Sequence, residues 1–214
     1  MAVISTVRKA SWKIITYFDC MAKYTMEKAA AMYHLQEVKG TASGFKLHAN
    51  GVFQFFFTYG AVDRYGSGNW TIDDDYVVLQ SRPWPGTDFA GVDSRTVGQD
   101  FITTKIVGGN PVLLHHVFFS LRNGETGSWI KTNERGEAAF PLQPVNTVSM
   151  VFEFCQERFT HFNIEDPSHN YFEFRFEPWL METFFNNFKL KITRYALSGP
   201  HPLMKGEKFV YEKV

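Results

Sequence analysis

Cysteine is scarce in this chain, and its placement argues against stabilisation by disulfide bonds or a structural metal ion. Only Cys20 and Cys155 occur among 214 residues, and they fit no CxxC spacing. A disulfide framework, a structural zinc and a thioredoxin-type redox centre are therefore poorly supported. We expect two free thiols. A chain of this length removes roughly 70% of its unfolded surface from water, so its core can hold the fold alone.

An excess of charge is also lacking. Lys and Arg together number 22, as do Asp and Glu, so the formal net charge is zero. Because no basic excess exists to neutralise a phosphate backbone, we expect no nucleic-acid partner. The longest run of like charge, residues 73–75, is too short for an acidic tail or a polybasic anchor. A neutral chain can self-associate readily, and we expect a protein or small-molecule partner.

Long apolar runs are absent as well. Lys9, Lys13 and Asp19 interrupt the stretch where the core of a signal peptide would lie, and no run of about 20 apolar residues occurs. The sequence therefore predicts a cytoplasmic chain without a membrane span. Three later methionines are alternative starts: Met21, Met26 and Met32.

The local motifs of common catalytic sites are missing. The chain contains no GxSxG, no GxxxxGKS/T, no HExxH and no GxGxxG. This favours a protein without catalytic activity and predicts no cofactor. An enzyme remains an alternative, because a site assembled from distant strands leaves no local motif.

The first half of the chain changes character near residue 34. Residues 1–33 include strong helix formers from Met21 to Met32, which predict a short N-terminal helix or tail. Residues 34–99 predict a four-stranded antiparallel meander. Its strands would be separated by turns, one of them at Gly60–Gly68, and a loop would follow from Arg82 to about Gln99.

The second half, residues 100–214, predicts a β-sandwich, because short strands recur at the spacing typical of that architecture. Val112–Leu121 is predicted as a strand that sends His115 and His116 to opposite faces. The predicted fold class is therefore mainly β, with an antiparallel meander followed by a sandwich.

The clearest alternation lies in Tyr171–Glu177. Three phenylalanines share one face, and two glutamates flank an arginine on the other. We therefore expect Phe174 to be buried and Arg175 to be exposed.

Two segments resemble known families. Residues 110–140, with the strand-turn-strand signature at residues 132–140 as their centre, resemble the carboxypeptidase regulatory-like or transthyretin-like sandwich, and Asn133 and Gly136 suit the tight turn of that signature. Residues 44–79, with the Asn50-Gly51 turn, resemble the hairpin pattern of lipocalin-like domains. Four strands cannot close an eight-stranded barrel of that kind, so the meander would need further strands or would pack on the second half. Neither resemblance carries a catalytic residue.

Two groups of residues are candidate sites. The first could bind a divalent metal through imidazole and carboxylate ligands, although its composition is also that of a turn: His161, Glu165, Asp166 and His169. The second could orient a polar ligand such as a sugar, although its composition too suits a turn: Tyr59, Asp63, Arg64, Tyr65 and Trp70.

The sequence leaves three functions open. The leading hypothesis is a non-catalytic module that binds or scaffolds through an aromatic surface or a sheet edge. A metal-assisted hydrolase built on the His/Asp/Glu cluster is the first alternative. The second is a binder of a lipid or small apolar ligand in the first half, around four aromatic residues: Phe53, Phe55, Phe57 and Trp70.

Overall fold

A computed structural model describes residues 24–36, 38–60, 62–124, 127–206 and 208–214, and within them the chain is mainly β. Helix is limited to α1 (Met26–Ala29) and a 3₁₀ helix (Pro111–His116) in this part of the chain. In chain order the strands are β1 (Ala31–Leu35), β2 (Thr41–Leu47), β3 (Val52–Tyr59), β4 (Val62–Asp73), β5 (Tyr76–Gln80), β6 (Phe89–Arg95), β7 (Phe101–Ile106), β8 (Val117–Arg122), β9 (Ile130–Lys131), β10 (Glu137–Pro141), β11 (Thr147–Phe152), β12 (Phe159–Asn163), β13 (Tyr171–Phe176), β14 (Phe188–Ile192), β15 (Ala196–Gly199) and β16 (Phe209–Lys213).

Eight of these strands close into a barrel. Their order is β1-β2-β3-β4-β5-β14-β15-β16, and every neighbouring pair is antiparallel, including β16 with β1. The predicted antiparallel meander is present as β2 to β5, but it does not stand alone, because β14, β15 and β16, which the sequence pattern assigns to the sandwich, complete the barrel. The sequence pattern shows which residues alternate but not which distant strand each edge will pair with.

The remaining eight strands form the sandwich, which is inserted between β5 and β14. One sheet has the order β10-β7-β13-β6 and the other β12-β11-β8-β9. All pairs are antiparallel except β7 with β13. The two sheets enclose one core, in which Phe119, Phe152, Phe172 and Phe174 are buried.

The glycines of β4 explain one wrong prediction. Gly66 and Gly68 lie inside a continuous twelve-residue strand, not in a turn. A Cβ on Gly66 would lie 2.7 Å from the carbonyl oxygen of Thr183, and one on Gly68 would lie 2.2 Å from that of Gln80. These glycines are thus needed for close backbone approach, which a sequence pattern cannot distinguish from a turn.

Two further segments differ from the sequence-based expectation. The predicted loop after Arg82 contains the edge strand β6, which pairs only with β13. Phe89 of this strand is buried, but its last five residues are exposed. Because the strand shows no apolar alternation, its sequence does not predict it. Residues 111–116 form a 3₁₀ helix instead of a strand. Asn110 caps it by accepting the N–H of Val112, and Pro111 suits its first turn.

The predicted N-terminal helix is reduced to the single turn α1. Ala30 already has extended backbone angles, and β1 begins at Ala31 because pairing with β2 and β16 outweighs local helix propensity. The part of that prediction that falls on residues 1–23, with Cys20, lies outside the described residues. Neither of the two helices in the described chain could span a membrane, since they have four and six residues.

The predicted alternation of β13 is confirmed. Phe172 and Phe174 are buried, and Arg175 is exposed. The predicted turn before β10 is also confirmed: Gly136 has φ +77°, and the Asn133 side chain accepts the N–H of Glu137 at 3.0 Å. This turn carries the chain from one sheet of the sandwich to the other.

Candidate functional site

The five residues of the predicted ligand group are Tyr59, Asp63, Arg64, Tyr65 and Trp70. Alternation along β4 buries Arg64 and Trp70 and exposes Asp63 and Tyr65. Trp70 lies toward the other end of the strand, where its Nε1 donates to the carbonyl oxygen of His48 at 2.8 Å. Tyr59 is exposed. The structure therefore does not gather this group around one cavity.

The four predicted metal ligands are also dispersed. Nδ1 of His161 shares a hydrogen bond with Ser149 at 2.9 Å, and Nδ1 of His169 shares one with Ser94 at 2.6 Å. Only His169 and Asp166 approach each other, at 3.6 Å. Glu165 is exposed. Among the described residues, no group of three or more His, Cys, Asp or Glu side chains is placed to hold a metal ion.

Arg64 instead joins the barrel to the sandwich. Its Nη1 donates to the carbonyl oxygen of Phe154 at 2.9 Å, its Nε to that of Met181 at 3.2 Å, and its Nη2 to Glu157 at 2.8 Å. The chain that returns from the sandwich runs beside β4, where Tyr65 and Met181 are linked through their backbones. The guanidinium therefore has a structural role in fixing the two parts of the molecule together.

A second buried pair lies at the same junction. Oδ2 of Asp88 lies 2.8 Å from Nε of Arg158, an ion pair without hydrogen-bond geometry, while Oδ1 accepts from Nε1 of Trp84 at 3.0 Å. Burial raises the pKa of the Asp88 carboxyl, and the charge of Arg158 opposes that effect. Burial also raises the pKa of the nearby Cys155 thiol to about 11, so this thiol is protonated at neutral pH and a poor nucleophile.

The interior of the barrel is filled by the side chains of the protein itself. Phe45, Phe53, Phe55 and Phe185 pack with ring centroids 5.1–6.1 Å apart. Three of the four aromatic residues of the apolar-ligand hypothesis, Phe53, Phe55 and Trp70, are almost fully buried in this core.

His201 occupies the end of the barrel nearest the sandwich. Its Nδ1 accepts the backbone N–H groups of Leu203 and Met204, so its proton lies on Nε2, which donates to Ser43 at 3.1 Å. Burial lowers the pKa of this imidazole to about 4. The ring is therefore a neutral, fully used core residue at neutral pH.

A cavity of about 540 Å³ opens at the other end of the barrel, between α1 and the turn that joins β14 to β15; we call it the mouth pocket. Its apolar lining comes from Tyr24, Tyr33, Ile192 and Tyr195. Its polar lining comes from Lys28, Thr193, Arg194 and Lys213.

The walls of the mouth pocket differ in rigidity. Tyr33 is buried, and its hydroxyl donates to the carbonyl oxygen of Ala29 at 2.8 Å, which fixes the ring beneath α1. Burial raises the pKa of Tyr33 to about 12, so the phenol is neutral. Tyr195 is 67% exposed at the rim, with the guanidinium carbon of Arg194 5.2 Å from its ring centroid. The floor is thus fixed and the rim is accessible.

Charge in the mouth pocket is of one sign. Among the described residues that line it, three side chains are cationic and none is a carboxylate. Nζ of Lys213 donates to the carbonyl oxygen of Lys28 at 2.6 Å, which ties the last strand to α1. Within the described chain, Lys28, Arg194 and Lys213 make no ion pair with any carboxylate.

Two carboxylates of the acidic turn at the same end of the barrel are paired with other cations. Asp73 pairs with Lys189 at 2.8 Å, and Asp75 pairs with Lys191 at 3.3 Å. Both carboxylates therefore already have cationic partners on β14.

Sequence reasoning did not find the mouth pocket. Its residues come from three separate segments, 24–33, 192–195 and 213, that carry no common motif. Only the pairing of β1 with β16 and of β14 with β15 brings the segments together. No local signal in the sequence could have identified the site.

The fold and the pocket define the class of this molecule: an all-β protein in which an eight-stranded antiparallel barrel carries an inserted sandwich and a pocket at its opposite end. No family model, no curated protein and no solved structure matches the chain. The resemblances to lipocalin-like and carboxypeptidase regulatory-like domains therefore stay predictions.

Proposed function

We propose that this chain is a non-catalytic binding protein and that the mouth pocket is its ligand site. The observation that carries the proposal is a cavity of about 540 Å³ whose lining combines three tyrosines and one isoleucine with four polar residues. Small-molecule sites commonly have volumes of about 300–1,000 Å³ and this mixed lining.

The packing of the barrel supports a site at the mouth. Because Phe45, Phe53 and Phe185 fill the interior, a ligand has room only where the barrel wall ends. The fixed Tyr33 ring and Ile192 offer an apolar floor, and the exposed Tyr195 ring offers a wall that can adjust. A ligand of modest size with an apolar body fits such a site.

The chemistry of the lining supports binding without catalysis. The eight lining residues in the described part of the chain include no carboxylate, imidazole or thiol, the groups that most often act as general bases or nucleophiles. The buried Tyr33 phenol, with its pKa near 12, is a poor base or acid at neutral pH.

The test is a fluorescence titration with phenylnaphthylamine, a neutral apolar probe. We expect saturable binding that weakens about fivefold to tenfold in Tyr195→Ala, because an aromatic contact contributes about 1 kcal/mol beyond simple burial. Tyr59→Ala is the matched control, since Tyr59 is similarly exposed but lies at the opposite end of the barrel. Equal affinity in both variants and the parent protein would reject the mouth pocket as the site.

A second candidate function, association through the sandwich, rests on an exposed aromatic patch. The rings of Trp129 and Phe159 lie 5.9 Å apart on the outer side of one sheet, beside Phe118 and Val151 and around a shallow cavity of about 300 Å³. Zero net charge removes the repulsion between copies of the chain. Light scattering should show a dimer that Trp129→Ser dissociates, whereas a parent protein that stays monomeric would exclude this role.

A further inference from the structure

We infer that the ligand of the mouth pocket carries an anionic group on its apolar body and that Lys28, Arg194 and Lys213 bind this group. The inference rests on the proposed function and specifies the chemical class of the ligand. The shared chemistry is that of an oxyanion, namely a carboxylate, sulfonate or phosphate.

The first support is the local imbalance of charge in a chain that is neutral as a whole. The described residues that line this cavity include three cations and no carboxylate, although acidic and basic residues are equal in number over the full sequence. Like charges that share a cavity repel each other, and at physiological salt the screening length is about 8 Å, so charges within one pocket still interact. An anionic ligand would relieve this repulsion.

The second support is the number of hydrogen-bond donors that the three cations keep free. Some lysines elsewhere, such as Lys189 and Lys191, lie within 3.3 Å of a carboxylate oxygen, whereas Lys46 has no ion pair within the described chain. The three cations of the mouth pocket have no such partner among the described residues, and the ammonium of Lys213 uses one donor on the Lys28 carbonyl. Each cation therefore keeps N–H groups that can donate hydrogen bonds to an oxygen of the ligand.

The third support is the division between polar and apolar lining. Tyr33 and Ile192 form the floor, whereas Arg194 lies at the rim beside the exposed Tyr195. A ligand with an apolar body and one charged end can therefore place its body on the floor and its charge at the rim. A uniformly polar anion would leave the floor unused, and a neutral apolar molecule would leave the cations unpaired.

The experiment compares two probes that share an aromatic body. Anilinonaphthalene sulfonate carries an anionic group that phenylnaphthylamine lacks, so the ratio of their affinities isolates the effect of charge. We expect the parent protein to bind the sulfonate about tenfold more tightly, since a charge-assisted hydrogen bond strengthens binding and the partial exposure of the site reduces that gain. Raising the salt concentration should reduce this ratio and leave the neutral probe unchanged.

Lys28→Gln and Arg194→Gln are the test variants, because both side chains are exposed and neither has an ion pair within the described chain. Each should reduce sulfonate affinity about fivefold to tenfold and should reduce phenylnaphthylamine affinity by a clearly smaller factor. Lys46→Gln is the matched control, since it also removes one positive charge from an exposed barrel position but lies on the outer face of β2.

The outcomes separate the two proposals. If both probes bind the parent protein equally and both weaken in Tyr195→Ala, the anion inference is wrong and the proposed site stands. If Tyr195→Ala leaves both affinities unchanged, the site itself is wrong. If Lys46→Gln weakens the sulfonate as much as Lys28→Gln does, the effect is one of overall charge and the inference fails.

Displacement experiments identify the head group. Octanoate and octyl phosphate are titrated against bound sulfonate probe, with octanol as the neutral control of equal chain length. Stronger displacement by octanoate or by octyl phosphate than by octanol supports an anionic ligand and shows which oxyanion the site prefers. Equal displacement by all three compounds overturns the inference.

Discussion

Arg64 of the barrel and Phe154 of the sandwich are joined by a hydrogen bond of 2.9 Å from Nη1 to the backbone carbonyl oxygen. The same guanidinium reaches the carbonyl of Met181 and the carboxylate of Glu157, and its side chain is almost fully buried. A single side chain thus satisfies main-chain acceptors from two segments of the inserted sandwich. This contact and the backbone hydrogen bonds between Tyr65 and residues 181 and 183 together join the sandwich to the barrel.

Arg64→Ala should therefore destabilise the protein strongly. We expect the free energy of unfolding to fall by about 3–5 kcal/mol, because the substitution leaves buried acceptors without a donor. Glu157→Gln is the control: its side chain is half exposed, so the loss should stay within about 1 kcal/mol. Urea unfolding followed by circular dichroism measures both values. A loss for Arg64→Ala as small as that of the control would contradict the structural role of Arg64.

Phe174→Ala should cost about 3–5 kcal/mol through lost burial and the cavity left in the sandwich. The side chain is 3% exposed, and its ring packs 4.9 Å from that of Phe162. Arg175→Ala, one residue further on the opposite face, should change stability by no more than about 0.5 kcal/mol, because its nearest carboxylate is 3.9 Å away. Denaturant melts of the two variants give the comparison, and similar losses would mean that the faces of β13 are reversed.

Gly68→Ala should destabilise the barrel by about 1–3 kcal/mol or more, since the new Cβ would lie 2.2 Å from the carbonyl oxygen of Gln80. Gly98→Ala provides the control, because a Cβ there meets no heavy atom within 4 Å. It should be neutral or slightly stabilising by reducing the freedom of the unfolded chain. Thermal unfolding of both variants tests whether β4 requires close approach at Gly68; equal melting temperatures would exclude it.

The pH dependence of stability should report on His201. Its pKa is lowered from 6.5 to about 4 in the folded protein, so between these values the unfolded chain binds more protons. The contribution of the neutral ring is complete above about pH 6.5 and is lost as the pH falls to about 4, which amounts to about 3 kcal/mol. His201→Gln removes this titration.

The measurement is the free energy of unfolding at a series of pH values. The difference between the parent protein and His201→Gln should shrink by about 3 kcal/mol from pH 7 to pH 4, while the carboxylates common to both proteins cancel. A difference that stays constant across this range would show that His201 does not titrate as its burial requires.

Local patterns were sufficient to predict some elements. The alternation of β13 and the turn at Gly136 depend on neighbouring residues and were predicted correctly. The continuity of β4 was not predicted. Gly66 and Gly68 allow close approach of the carbonyl oxygens of Thr183 and Gln80, which lie on other segments, and a local pattern does not show these contacts.

The candidate site could not be predicted for the same reason. Lys28, Arg194 and Lys213 each look like an ordinary surface residue in the sequence. Their common place in the mouth pocket depends on the closure of the barrel through β1 and β16, whose residues are separated by most of the chain. A charge pattern becomes informative here only when the three-dimensional neighbours are known.

The insertion of the sandwich between β5 and β14 has a consequence for the order of folding. The segment between β5 and β14 has roughly 100 residues. If it is disordered, bringing its ends together costs about 4 kcal/mol in chain entropy before β5 and β14 can pair. A folded sandwich holds its own ends in a defined place and so removes most of this cost. We therefore expect the sandwich to fold first and the barrel to close last, with the mouth pocket absent from every earlier intermediate.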